Sequence, residues 1–137
     1  QLNLSLIYRY GKGIPKDYSI VFYWNKKAAE QGSLVAQYNL GVMYEFGKGV
    51  QQDYRKAADW YKKAAQQGHS ESQTILGALY ENGKGVEVDF TEAVYWHKKA
   101  AEQGDTKAQL NLGDFYKNGI GISEDYRQAF YWYKKVA

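Results

Sequence analysis

Gln1, Gln37, Gln73 and Gln109 recur every 36 residues, and the rest of the 137-residue chain falls into the same register without a gap. Leu4, Leu40, Leu76 and Leu112 align, as do Tyr8, Tyr44, Tyr80 and Tyr116. All 4 tryptophans, Trp24, Trp60, Trp96 and Trp132, occupy one repeat position. A period of this length marks an architecture in which one supersecondary unit cannot bury its apolar face alone and stacks on its neighbours. The expected organisation is a single array over 1–137, with copies at 1–36, 37–72, 73–108 and 109–137.

Each copy reads as two helices. In the second, Ala36, Leu40, Met43 and Tyr44 form one apolar stripe at helical period, predicting helix A over Leu34 to Phe46. The run Gly47-Lys48-Gly49-Val50 stops it, because glycine permits positive φ at a helix end. Asp53 follows as an N-cap, and helix B is predicted from Tyr54 to Gln66, with Ala57, Trp60, Tyr61, Ala64 and Ala65 on one face. Gly68 ends it as the residue after the C-cap. Gly41, Gly77 and Gly113 lie inside helix A, where glycine costs about 1 kcal/mol relative to alanine. The expectation is that another helix backbone approaches closely there; Ser5 holds the place in the first copy. The 17% aromatic content, with 14 tyrosines, is expected to be mostly core.

The run Ala36-Gln37-Tyr38-Asn39-Leu40-Gly41-Val42-Met43-Tyr44, then Gly47-Lys48-Gly49-Val50, Asp53, Lys56-Ala57, Trp60-Tyr61 and Lys63-Ala64-Ala65-Gln66-Gln67-Gly68, resembles the Sel1-like repeat, a relative of the tetratricopeptide repeats. The likeness covers the whole chain. It implies an all-α fold, an α-solenoid wound as a right-handed superhelix of antiparallel helix-turn-helix units, and an adaptor role in assembling protein complexes. The cysteine-rich branch of that family staples its repeats with disulfides. With 0 cysteines this chain resembles the disulfide-free branch.

Gln1 falls inside helix A of the first copy and Ala137 inside helix B of the fourth. Because a solenoid needs polar caps over its stacking faces, the expectation is a piece of a longer array.

Composition narrows the chemistry. No cysteine means no thiolate metal site and no cysteine nucleophile, although it names no compartment. No stretch approaches the roughly 18 to 20 apolar residues of a membrane span. Lys and Arg total 18 against 15 Asp and Glu, a mixed surface of net charge +3 that disfavours a dedicated nucleic-acid binder.

The Gly-Lys-Gly loops lack the Ser/Thr and preceding strand of a phosphate-binding loop and read as turns. The pairs Lys26–Lys27, Lys62–Lys63, Lys98–Lys99 and Lys134–Lys135 would align as a ridge along the outer helices. That ridge offers an alternative role, binding nucleic acid or an anionic surface, against lysine stems covering the aromatic core. His97 stands where Tyr61 and Tyr133 stand in other copies and is expected to be a partly buried packing variant. His69 follows Gly68 in a connecting turn. Neither histidine has the companions of a metal site, no Ser-x-x-Lys is present, and the recurring Asp17, Asp53, Asp89 and Asp125 are caps. No nucleophile meets a base, so the reading is no enzyme and no cofactor.

What remains is the set of helix-A positions that the repeat does not dictate. Pointing away from the packing stripe, they would line the concave side and hold a protein or peptide ligand. They are Asn3, Leu6 and Tyr10 in the first copy; Tyr38, Asn39, Val42, Glu45 and Phe46 in the second; Ile75, Glu81 and Asn82 in the third; and Asn111, Asp114 and Lys117 in the fourth.

Overall fold

The computed structural model describes residues 17–136. Among them are seven α-helices and no strand: α1 (Tyr18–Glu30), α2 (Leu34–Phe46), α3 (Tyr54–Gln66), α4 (Ser70–Asn82), α5 (Phe90–Glu102), α6 (Thr106–Asn118) and α7 (Tyr126–Val136). In the repeat frame α2, α4 and α6 are A helices, and α1, α3, α5 and α7 are B helices. The fold is all-α, of the helical-repeat solenoid class. The chain divides into two compact units, one ending at Gln67 and the other beginning at Gly68.

Local chemistry sets the helix ends. Gly47, Gly83 and Gly119 close α2, α4 and α6 in the left-handed region, each N–H donating to a carbonyl of the last turn, Met43, Leu79 and Phe115. Asp17, Asp53 and Asp89 cap α1, α3 and α5. Asp125 caps α7, its Oδ1 accepting from Arg127 and Gln128 N–H at 3.0 and 3.2 Å. The same aspartates lock the turn through their backbones. The N–H groups of Asp53, Asp89 and Asp125 donate to the carbonyls of Tyr44, Tyr80 and Tyr116 at 2.8, 3.0 and 2.9 Å.

In the first unit Ala28, Ala29, Ala36 and Leu40 are buried together, with Phe22 and Trp60 packed against them. In the second, Val94, Leu112, Phe115, Tyr116 and Trp132 surround Ala93, Ala100, Ala101, Ala108 and Ala129. Alanine recurs at the contacts because a methyl lets helix axes approach, and aromatic rings then fill the gaps.

The repeat-marking glutamines Gln37, Gln73 and Gln109 are buried and take part in a polar clasp. Gln37 Nε2 donates to Ala29 O at 3.3 Å, and its Oε1 accepts from Gln67 Nε2 at 2.7 Å. Gln67 also donates to Gly32 O at 3.1 Å. In the second unit Gln103 donates to Gly68 O and Gln73 Oε1, both at 2.9 Å, and Gln109 donates to Ala101 O at 3.1 Å.

Two expectations are corrected. No helix backbone closes on Gly41, Gly77 and Gly113: side-chain rings lie there. A Cβ on Gly41 would stand 2.6 Å from the Tyr61 ring, one on Gly77 2.7 Å from His97 Nε2, and one on Gly113 2.7 Å from the Tyr133 ring. The aromatic surplus is also less buried than expected, since Tyr23, Tyr95 and Tyr131 are about half exposed on the B helices. Each lies edge-to-face on its neighbour, Trp24, Trp96 or Trp132, and carries a lysine ammonium, Lys27, Lys99 or Lys135, 5.0 to 5.2 Å from its ring centre.

Candidate partner-binding face

The glycine notch lets a ring from helix B cross helix A and bring its polar tip to a carboxylate. Tyr61 is fully buried, and its hydroxyl donates to Glu45 Oε1 at 2.6 Å. His97, equally buried, places Nε2 2.7 Å from Glu81 Oε1. The fourth copy has Lys117 where Glu45 and Glu81 stand, yet the Tyr133 hydroxyl still finds an acid, donating to Asp114 one turn earlier. That hydrogen bond, then burial and the Asp114 charge, push the Tyr133 phenol up to about 12. His97 is therefore not the partly buried variant expected; it is a core residue with a polar contact. His69 does more than turn the chain: it caps α4, its Nδ1 accepting from Ser72 N–H at 3.2 Å. Burial lowers its pKa, with the Glu71 charge opposing.

Asn25 occupies the ring position in the first copy and is fully buried. Its Nδ2 donates to Val21 O at 2.9 Å, and its Oδ1 accepts from Asn39 Nδ2 at 3.2 Å. This corrects Asn39, expected on an open surface: it is 3% exposed and belongs to the packing. An asparagine with no ring opposite it is drawn inward because a buried amide must find a partner.

Asn3, Leu6 and Tyr10 lie outside the described residues. On α2, Phe46 is 63% exposed, Tyr38 and Val42 are half-buried, and half-buried Glu45 is held by Tyr61. Val35, 44% exposed, extends this stripe and was missed; its position carries Glu71 and Lys107 in the other copies, so only the second copy signals it. Positions 35, 38, 42 and 46 follow the helical period and share one side of α2. On α4, Ile75 and Glu81 are half-buried, and exposed Asn82 donates to Ala78 O at 2.9 Å. On α6, Asn111 is half-buried while Asp114 and Lys117 are exposed, and Leu110 beside them is 42% exposed.

The Glu45, Glu81 and Asp114 carboxylates are engaged by ring tips, and among the described residues no group of three His, Cys, Asp or Glu side chains could hold a metal ion. No helix among them is long and apolar enough to cross a membrane.

Comparison with known proteins places this architecture. The family profile described as Sel1 repeat matches residues 1–33, 34–69, 70–105 and 106–137. No curated protein matches the chain. Among solved structures, it is similar to c5321, a protective antigen present in uropathogenic Escherichia coli strains and displaying an SLR fold. That likeness has a TM-score of 0.93 and 41% identity over 97% of this chain and 28% of the other. A Sel1 repeat protein from Oxalobacter formigenes gives a TM-score of 0.92 and 38% identity over 96% of this chain and 54% of that one. Cysteine-rich protein B of Helicobacter pylori gives a TM-score of 0.64 and 36% identity over 67% of this chain and 69% of its own. The chain thus spans about a quarter and about half of the first two. Sel1 repeat proteins are non-catalytic scaffolds that bind other proteins. With its repeats matched from end to end, the chain belongs to the Sel1 repeat family.

Proposed function

We propose that this chain holds a protein or peptide segment on the open side of its A helices. The observation that carries the reading is the stripe Val35, Tyr38, Val42 and Phe46 along α2, apolar at every step and exposed at both ends. A scaffold position that packing does not require has no reason to keep an aromatic ring in water, and aromatic anchors dominate protein interfaces. The corresponding residues of α4 and α6 are polar at several steps, among them Glu71, Asn82, Lys107 and Asp114. The ligand is therefore read as making its apolar contacts on α2.

The lysine ridge supports the alternative less well. Lys27, Lys63, Lys99 and Lys135 each lie over a tyrosine or tryptophan ring, a structural use of the second lysine in every pair.

Peptides selected from a random phage-displayed library against the intact chain test the reading. Tyr38→Ala with Phe46→Ala should weaken the selected peptides at least tenfold, about 1.4 kcal/mol or more, while the helical melting curve stays in place. Unchanged affinity in that variant, with loss in Lys62→Glu, Lys63→Glu, would move the site to the B helices.

A further inference from the structure

The chain's 2 histidines act on the same helix. His69 caps the start of α4 through Nδ1, and His97 holds Glu81 in its last turn. The other A helices do both jobs without histidine. Ser33 and Asp105 cap α2 and α6, and Tyr61 and Tyr133 supply the crossing rings. We propose that α4 is an acid-sensitive element of the array, loosening on protonation of its His69 cap while α6 in the same unit stays docked. This inference stands apart from the partner reading.

The cap at His69 requires a bare nitrogen. Nδ1 accepts from Ser72 N–H at 3.2 Å and lies 2.7 Å from Ser72 Oγ. The hydroxyl can reverse its hydrogen bond when the ring is protonated; the backbone N–H cannot. Protonation thus removes a helix cap and sets a positive charge at the helix N-terminus, where the dipole disfavours it. Glu71 is the acid whose charge opposes this, and burial outweighs it. The folded pKa therefore lies below the unfolded value near 6.5. The contribution of the neutral cap is complete above the unfolded value and is lost as pH falls from there through the folded pKa.

At His97 the facing acid is Glu81, and a carboxylate only accepts, so Nε2 donates. From α6 the ring meets Phe115 at 5.7 Å between centres, a group that does not titrate; Lys98 and Lys99, next on α5, are exposed. Nδ1 is buried with no partner among the described residues.

Amide hydrogen exchange of the intact chain, corrected for the intrinsic pH dependence, separates helices within one sample. Between about pH 7.5 and about pH 5.5, α4 amides should lose protection about tenfold while α6 amides change less than about twofold. His69→Asp, which installs the residue type that already caps α6, should abolish the difference. Equal responses of α4 and α6 in the natural chain, or a full response surviving in His69→Asp, would overturn the proposal.

Discussion

The Tyr61 hydroxyl donates to Glu45 Oε1 at 2.6 Å after its ring has crossed helix α2 at Gly41, where a Cβ would stand 2.6 Å from two ring carbons. Intrinsic propensity says that Gly41→Ala should stabilise the helix by about 1 kcal/mol. Overpacking against a fully buried ring acts the other way and should win, for a net loss of about 1–3 kcal/mol. Urea unfolding decides it. A raised midpoint would show that the Tyr61 ring can move aside at little cost.

The two glycines of one turn should differ. Gly47 has φ 68° and a Cβ there would meet Gln52 Cβ at 3.2 Å, a side chain that can shift. Gly49 has φ 76°, and a Cβ there would stand 2.1 Å from the Tyr18 carbonyl oxygen, which belongs to a helix start and cannot. Asparagine tolerates the left-handed region, so Gly47→Asn should cost less than about 1 kcal/mol. Gly49→Asn should cost about 2 kcal/mol more than that, through displacement of α1. Equal losses in the two thermal melts would mean that the carbonyl contact is soft.

Gln37 and Gln67 should be energetically coupled. Gln37→Ala removes two hydrogen bonds at a buried site and should cost about 1–3 kcal/mol. Gln67→Ala, at an exposed position, should cost about 1 kcal/mol or less. A double-mutant cycle should return a coupling of at least about 0.5 kcal/mol. Strict additivity would show that water replaces the clasp.

The Tyr133 phenol should titrate late. Its folded pKa is raised to about 12, chiefly by the hydrogen bond to Asp114. The unfolded phenol titrates near 10, so the stabilisation is complete below about pH 10 and fades as pH rises from there towards 12. Phenolate absorbance should show a lagging component, and Asp114→Asn should move one tyrosine out of it. A lag that survives that substitution would assign the shift to burial instead.

The repeat period made the helices legible. Leu34–Phe46 and Tyr54–Gln66 fall where caps, apolar stripe and glycines place them, because those signals are local and act within a turn or two of the chain. A further signal was present and easily overlooked. The copies with glycine at 41, 77 and 113 carry a ring at 61, 97 and 133, whereas the copy with Ser5 carries Asn25. Those pairings already contain the notch and the ring that fills it.

The candidate face was less legible. Helical spacing separates the two sides of α2, and it correctly sets Phe46 outward. Spacing cannot tell that Asn39, near the edge of that side, turns in to meet Asn25 fourteen residues earlier in the chain. Nor does it reveal that the acid meeting the Tyr133 hydroxyl lies at Asp114 once position 117 is lysine.

The glycine notch with which the Discussion began divides the two kinds of information. By itself the sequence determined the period, the helix pairs, the caps and the family, since each rests on contacts between near neighbours repeated four times. Only the tertiary structure decided what sits on Gly41, which glutamine clasps which, and that His97 reaches Glu81 on α4. Those contacts join residues 16 to 30 positions apart, such as Tyr61 with Glu45 and Gln67 with Gln37. Burial and hydrogen-bond satisfaction across packed helices select them, and no local propensity encodes either.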